Sequence, residues 1–315
     1  MMTPAINGLH HVTAIAADAQ RNHDFWAQVM GLRFVKRTVN FDDPGTYHLY
    51  YGNEVGAPGT ALTFFPWRHL PRGREGTGES SMTSFAIPAG AVGFWLDRFV
   101  AHGVEHEPPT AYLGEEAIVF HDPDGMKAAL VVARGGPPDD RAPWTTPEVG
   151  AEHALRGFHG VTLTLAEGTA TGRLLTEVMG YEPAGREGEL YRYAAPHATH
   201  ARYVDVALRP NAPRALQGAG RVHHIAFAVE DDAAQAAFRE RLAAAGLNVT
   251  PRIDRTYFRS IYFRTPGGVL FEIATEGPGF TVDEGREDLG RNLKLPPQHE
   301  HLRATLEREL PPLAT

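Results

Sequence analysis

The sequence predicts an α+β protein built from four similar βαβββ modules. Three observations indicate this fold. Four short β-prone runs each precede a helix-forming segment that ends at or just before a glycine. The modules share local sequence in pairs, and a segment rich in Pro and Gly separates the first two modules from the last two. A repeated supersecondary unit of this kind is typical of a duplicated fold.

Each module is expected to begin with a strand and to continue with one helix and further strands. The opening strands are predicted at Gly8–Ile15, Ser81–Ile87, Phe158–Leu165 and Val222–Val229. The helices are predicted at about Asp18–Met30, Ala91–His102, Ala170–Met179 and Asp232–Ala245, each ending at a glycine that can adopt positive φ. Further strands in module one are predicted near Arg33–Asn40, Thr46–Gly52 and Ala61–Pro66. Modules two and four are each expected to close with a hairpin, around Asp122–Gly125 and Thr265–Gly268.

Two internal matches define how the modules correspond. Leu9–Thr13 (LHHVT) aligns with Phe158–Thr162 (FHGVT), and the turn Asp122–Gly125 aligns with Thr265–Gly268. Modules one and three therefore correspond, as do modules two and four. We predict one half over residues 1–140, a second over 152–280 and a tail over 281–315, with a hinge that begins at Gly135–Asp140 and continues to about Ala151. A short helix over Glu300–Glu309 in the tail is compatible with packing on the sheets or with a lid.

Composition excludes several classes of function. The chain carries 30 Lys+Arg against 38 Asp+Glu, a net charge of −8, which argues against nucleic acid as the main partner. It has no cysteine, so thiolate chemistry, disulfides and Cys-ligated metals are excluded. The N-terminus lacks the pattern of a signal peptide, and no segment approaches the ~20 apolar residues of a membrane span. We expect a cytoplasmic protein with no membrane contact, and the sequence leaves homo-oligomerisation open.

The candidate metal ligands are two histidine doublets and one carboxylate. His10-His11 and His223-His224 each lie on an opening strand, where neighbouring side chains point in opposite directions, so one histidine of each pair can face a given site. Glu272 lies in the apolar run VLFEIA, and a metal cation would offset the cost of burying its charge.

The corresponding positions in the other modules lack ligands. Gly160 aligns with His11, Met82 approximately with His224, and Ala129 with Glu272. One metal site shared by modules one and four follows. Two histidines and one carboxylate leave coordination positions open, which suits Fe(II) in oxygenases but also admits Mn(II), Ni(II) or Zn(II).

Two further side chains are candidates for the same cavity. Folding the hairpin about Pro266-Gly267 brings Tyr262 opposite Glu272, within a residue of register, and Arg255 lies on the loop that leads into this strand. A phenol and a guanidinium close to a metal can hold an oxygen anion.

The sequence resembles the vicinal oxygen chelate superfamily, and within it the para-hydroquinone ring-cleaving dioxygenases. The stretches that carry the resemblance are GLHHVTAIA, GLRFVKRTVNFDDPGTYHLYYG, VHHIAFAV, DRTYFRSIYFRTPGGVLFEIATEGPGF and DLGRNLKLPP. The resemblance implies two cup-shaped halves of the glyoxalase/bleomycin-resistance/extradiol dioxygenase fold. It also implies Fe(II) ligands at His11, His224 and Glu272. It further implies that His10, Thr13, His223, Arg255 and Tyr262 line or support the substrate pocket.

The implied reaction is cleavage of a hydroquinone ring by O₂ between a hydroxyl-bearing carbon and its neighbour. His10, His223 and Tyr262 are the candidates for handling the proton, and the sequence does not rank them. Two alternatives stay open: a glyoxalase-type isomerase or transferase, and a non-catalytic protein that binds an aromatic compound or confers resistance to it. The first usually completes its metal shell with a second carboxylate, and Ala129 occupies that place here.

The ligand positions also predict a non-sequential arrangement of modules. Since His11 belongs to module one and His224 and Glu272 belong to module four, these modules must meet in one cup. Modules two and three would then form a second cup without metal. Consecutive modules would ordinarily lie side by side. A domain-swapped dimer would satisfy the same constraint, but we expect the pairing to occur within one chain.

Overall fold

The computed structural model describes residues 4–133 and 142–315. The predicted hinge segment Gly135–Asp140 lies outside the described residues. Module one contains β1 (Leu9–Ala16), β2 (Arg33–Asn40), β3 (Asp43–Gly52) and β4 (Ala61–Pro66). Module two contains β5 (Glu79–Ile87), β6 (Thr110–Tyr112), β7 (Glu115–His121) and β8 (Lys127–Val132). Module three contains β9 (Phe158–Leu165), β10 (Glu182–Glu187), β11 (Leu190–Ala194) and β12 (Tyr203–Leu208). Module four contains β13 (Val222–Val229), β14 (Ile253–Asp254), β15 (Arg259–Arg264) and β16 (Leu270–Thr275).

The strands form two eight-stranded sheets, and each sheet combines the strands of two modules. The first sheet has the order β14-β15-β16-β13-β1-β4-β3-β2, and the second has the order β10-β11-β12-β9-β5-β8-β7-β6. Modules one and four therefore share one sheet through the antiparallel pair β1–β13, and modules two and three share the other through β5–β9. The predicted pairing is confirmed, and it occurs within one chain. Because each sheet takes one module from each half of the chain, the proposed halves do not coincide with the sheets.

The helices follow the predicted positions with one difference in type. The helix after β1 is α-helical over Ala19–His23 and π-helical over Asp24–Val29, and the helix after β9 changes in the same way from Thr169–Arg173 to Leu174–Val178. The other two are α-helices over Val92–His102 and Asp232–Ala244. Within the described ranges, no helix is both long enough and apolar enough to cross a bilayer.

The main core lies between the sheets, and it leaves the opposite face of the first sheet for the site. Trp26 is fully buried and contacts Phe64 of the first sheet as well as Phe85 and Phe120 of the second. On β1, Val12 and Ala14 join this core. Since side chains alternate along a strand, His11 and Thr13 point to the other face.

The tail packs along β2 and β3. It contains 3₁₀ turns at Phe280–Val282, Arg286–Asp288 and Pro297–Leu302 and a short α-helix at Arg303–Glu309, close to the predicted Glu300–Glu309. Lys36 on β2 is fully buried and is paired with Asp283 and Glu284 of the tail. The Tyr47 hydroxyl on β3 donates to the Pro311 carbonyl at 2.9 Å.

Candidate metal centre

The three predicted ligands lie on three neighbouring strands of the first sheet. His11 is on β1, His224 on β13 and Glu272 on β16, and these strands are adjacent. The register places Thr13 opposite His224 and Ala226 opposite Glu272. All three ligand side chains are at least 95% buried.

The ligand atoms form a compact triangle. His11 Nε2 lies 3.3 Å from His224 Nε2 and 3.3 Å from Glu272 Oε2, and His224 Nε2 lies 3.0 Å from Glu272 Oε2. The centre of such a triangle is less than ~2 Å from each atom, so one cation could lie about 2.0–2.2 Å from all three, as in protein metal sites. Within the described ranges, this is the one group of three or more His and acidic residues whose ligand atoms converge in this way.

The bonding of Glu272 also fits a cation. Its Oε1 accepts a hydrogen bond from the Ser260 hydroxyl, whereas the buried Oε2 has no partner of good hydrogen-bond geometry among the described residues. A buried anionic oxygen without a donor is costly, and a metal ion would satisfy it. Burial alone would raise the pKa of Glu272, but the adjacent His11 and His224 hold it well below its usual range. The carboxylate is therefore available as a ligand.

Each ligand histidine is held by the preceding histidine of its doublet. His10 Nδ1 is 2.9 Å from His11 Nδ1, and His223 Nδ1 is 2.8 Å from His224 Nδ1. Burial, followed by the adjacent ligand histidine, lowers the pKa of both His10 and His223 to about 3, so both rings are neutral. When Nε2 of a ligand histidine binds metal, its Nδ1–H donates to the neighbouring ring, which fixes the ring orientation.

The triad borders a cavity of about 390 Å³. His11 and His224 face it, together with His223, Arg255 and Tyr262. Other lining residues are Asn40, Phe41, Asp42, Asp43, His48, Tyr50, Phe65, Trp67, Phe258 and Leu270. The size and the largely aromatic wall suit a small aromatic ligand.

Arg255 and Tyr262 occupy this cavity as a bonded pair. Tyr262 lies directly opposite Glu272 in the β15–β16 register, as predicted, and its ring meets His224 edge-on at 5.8 Å. Arg255 Nε donates to the Tyr262 hydroxyl at 3.3 Å, and a second guanidinium nitrogen lies 3.0 Å from Asp42 Oδ2. A guanidinium behind a phenol places positive charge where an oxygen anion close to the metal would form.

The other predicted residues do not line the cavity. His10 is 97% buried, contacts Phe258 and borders a separate cleft on the far side of that ring. Thr13 is fully buried and bonds to Thr63 at 2.8 Å between the two hydroxyl oxygens. Both residues therefore support the site from behind.

Sequence reasoning missed four residues that shape the site. His48 and Tyr50 lie on β3, Phe258 packs 4.9 Å from the His11 ring, and Ser260 holds Glu272. The sequence Tyr47-His48-Leu49-Tyr50 contained a signal for two of them, because alternation along a strand places His48 and Tyr50 on the same face.

The second sheet has no room for the same metal site. A side chain at Gly160 would place its Cβ 2.6 Å from the Tyr203 carbonyl oxygen, and Met82 and Ala129 belong to a buried apolar cluster. Elsewhere in this cup, Arg192 forms a two-point ion pair with Asp205, at 2.8 and 2.9 Å, and a further contact of 2.6 Å with Glu115. The Arg192 guanidinium thus supplies positive charge in this cup, where the first cup could hold a metal ion.

The fold and site together define a protein of paired βαβββ modules with a His/His/Glu group that could hold a metal ion. The chain belongs to the Glyoxalase/Bleomycin resistance protein/Dioxygenase superfamily, whose family model matches residues 8–130 and 142–273.

Two curated relatives are similar in sequence to this chain over nearly its full length. MhqO of Bacillus subtilis (strain 168), which carries the name of a ring-cleaving dioxygenase, is 44% identical over 97% of this chain and 96% of its own. The chlorohydroquinone/hydroquinone 1,2-dioxygenase of Sphingobium indicum is 36% identical over 97% of this chain and 96% of its own.

Solved structures agree with the fold. A crystal structure from Bacillus subtilis of a protein described as a dioxygenase superposes with a TM-score of 0.94 at 43% identity, covering 99% of this chain and 98% of that one. Glyoxalase I from Zea mays superposes with a TM-score of 0.62 at 13% identity, covering 85% of this chain and 92% of its own, which shows a shared fold alone.

Proposed function

We propose that the protein is an Fe(II)-dependent dioxygenase that cleaves the ring of a hydroquinone and incorporates both atoms of O₂. The observation that carries the proposal is the buried triad of His11, His224 and Glu272, whose two histidines face an aromatic-walled cavity. A set of two histidines and one carboxylate leaves positions open for other ligands, as in non-haem iron oxygenases. The hydroquinone substrate is proposed from the name of the Sphingobium indicum relative.

Fe(II) bound here would acidify a coordinated hydroxyl and carry electron density from the ring to O₂, so that no external reductant is required. The protein's part is to hold the ring and to manage charge and protons. Phe258, Phe65 and Trp67 give the cavity apolar ring surfaces against which an aromatic ring can pack. Because histidines bind metal as neutral imidazoles and a carboxylate binds as an anion, the triad would contribute one negative charge to the site.

Tyr262 and Arg255 are proposed to hold the substrate oxygen close to the metal. The Tyr262 hydroxyl accepts from Arg255, and its own proton is then free to donate to that oxygen. Burial raises the pKa of Tyr262 above its ordinary value, so the phenol keeps this proton. Removing one such preorganised donor typically costs about 10²–10³ in rate.

His223 is the best-placed residue for moving a proton. Its Nδ1 is bonded to His224, so when His224 Nε2 binds metal, His223 accepts at Nδ1 and keeps its proton on Nε2. His223 lines the cavity, whereas His10 does not, and His10 also bonds to the backbone of Thr275. The structure thus supports His223 over His10.

Oxygen uptake with hydroquinone and with catechol tests the proposal. We expect faster uptake with hydroquinone in protein loaded with Fe(II), and no uptake by Glu272→Ala loaded in the same way. A clear preference for catechol would replace the substrate proposal. A glyoxalase-type activity would appear instead as thiol-dependent turnover without O₂, supported by Zn(II) or Ni(II). Binding of hydroquinone without any turnover would indicate a binding or resistance protein.

A further inference from the structure

A continuous chain of hydrogen bonds leads from the cavity wall into the first sheet. The Tyr50 hydroxyl lies 2.8 Å from His48 Nδ1, and His48 Nε2 lies 2.8 Å from the Thr63 hydroxyl. Thr63 in turn lies 2.8 Å from the Thr13 hydroxyl. All four side chains are more than 90% buried, and Tyr50 and His48 line the cavity.

The chain of hydroxyls and imidazole is neutral. Burial, followed by the neighbouring His11 and His224, holds the pKa of His48 well below its ordinary value. A neutral imidazole donates from one nitrogen and accepts at the other, and each hydroxyl can do either. The hydrogen bonds can therefore all point towards the cavity or all away from it. In the first arrangement Tyr50 donates to a ligand, and in the second it accepts from one.

The chain lies on a different side of the cavity from Tyr262. Tyr262 is on β15, next to the strand that carries Glu272, and its ring contacts His224. Tyr50 is on β3, which β4 separates from the strand that carries His11. At a spacing of about 4.8 Å per strand, the backbones of β3 and β1 are roughly 10 Å apart. The two tyrosines therefore reach the cavity from opposite sides of the ligand strands, Tyr262 beside the strand of Glu272 and Tyr50 two strands from the strand of His11.

The second sheet shows what replaces this chain where no metal site exists. The register pairs Tyr50 with Thr63 in the first sheet and Arg192 with Asp205 in the second, at matching positions. At these positions the second cup has the ion pair of Arg192 and Asp205, whereas the metal cup has the uncharged side chains of Tyr50 and Thr63. Uncharged groups that can donate or accept suit a phenolic hydroxyl.

We propose that Tyr50 binds the substrate hydroxyl remote from the metal, and that His48 is the positioning residue that orients the Tyr50 hydroxyl. The proposal rests on the proposed function, because it requires a ligand with a second hydroxyl across the ring. It makes Tyr50 the residue that distinguishes a 1,4-dihydroxybenzene from a simple phenol.

Calorimetric titration of the Fe(II)-loaded protein without O₂ tests this assignment. The ligands are hydroquinone and 4-methylphenol, which replaces the remote hydroxyl with a methyl group of similar size. The wild type should bind hydroquinone about 3- to 10-fold more tightly, the contribution of one neutral hydrogen bond. Tyr50→Phe should remove this preference and leave the affinity for 4-methylphenol unchanged. Tyr51→Phe is the matched control, because Tyr51 points to the other face and bonds to Asn22, and it should keep the preference.

A wild type without preference, or a Tyr50→Phe variant that retains it, would overturn the assignment. If Tyr50→Phe does not fold, Thr63→Val gives the same comparison, since Thr63 lies outside the cavity and is the hydrogen-bond partner of His48 Nε2. It should reduce the preference, and an unchanged preference would again overturn the proposal. Oxygen uptake by the wild type distinguishes failure of this assignment from failure of the proposed function. If the wild type consumes O₂ with hydroquinone but Tyr50→Phe keeps the binding preference, only the assignment of Tyr50 is refuted. If Tyr50→Phe loses the preference but the wild type consumes no O₂, the proposed reaction is refuted.

Discussion

Ser260→Ala should weaken metal binding without removing any ligand. Ser260 and Glu272 are both fully buried, and the serine hydroxyl is the donor to Glu272 Oε1. A hydrogen bond to a charged group contributes about 1.5–3 kcal/mol, and its loss leaves Oε1 buried without a donor. At about 1.4 kcal/mol per factor of ten, the metal dissociation constant should rise roughly 10- to 100-fold, in line with other residues that orient metal ligands.

Competition with a fluorescent chelator for Fe(II), or for Zn(II) as a redox-stable substitute, measures this change. Ser80→Ala is the matched control, because Ser80 is also buried, in the second sheet, and its hydroxyl has no hydrogen-bond partner in the described part of the chain. An unchanged dissociation constant for Ser260→Ala, in a protein that unfolds at the wild-type temperature, would refute the role assigned to the Ser260–Glu272 hydrogen bond.

Three further outcomes follow from the structure. Tyr262→Phe should lower turnover ~10- to 1000-fold while iron content stays at the wild-type level. Arg192→Met should lower the free energy of unfolding by about 3–5 kcal/mol in urea denaturation, because Asp205 would stay buried without its cation, and iron content should not change. Burial raises the pKa of Asp122 to about 7 from 3.8, so the folded state binds a proton that the unfolded state has lost; the free energy of unfolding should fall between about pH 4 and 7, and Asp122→Asn should flatten that slope.

The module pairing could be predicted because metal ligands constrain distant parts of a chain. His11 and Glu272 are far apart in sequence, yet one ion can bind both only if modules one and four meet. Pairing module one with module two and module three with module four would have given the wrong topology. Alternation along strands limited the ligands to one histidine of each doublet, and the family resemblance indicated His11 and His224. Hairpin closure placed Tyr262 opposite Glu272.

The remaining parts of the site depend on contacts that carry no local pattern. His10 and Thr13 are on the ligand strand but support the site from outside the cavity, and their depth depends on how the sheet curves. His48 and Tyr50 reach the cavity because β3 lies two strands from β1 in the sheet, which their own sequence does not reveal. The π-helical turn at Asp24–Val29 could not be predicted either, because its sequence has the same periodicity as an ordinary α-helix.

An anomalous difference map at the iron edge tests the central claim most directly. Crystals loaded with Fe(II) in the absence of O₂ should show one strong peak per chain, about 2.0–2.2 Å from His11 Nε2, His224 Nε2 and Glu272 Oε2. The second cup, where Gly160 replaces the first histidine, should show none. A peak located elsewhere, or no peak at the triad in protein that contains stoichiometric iron, would contradict the metal centre.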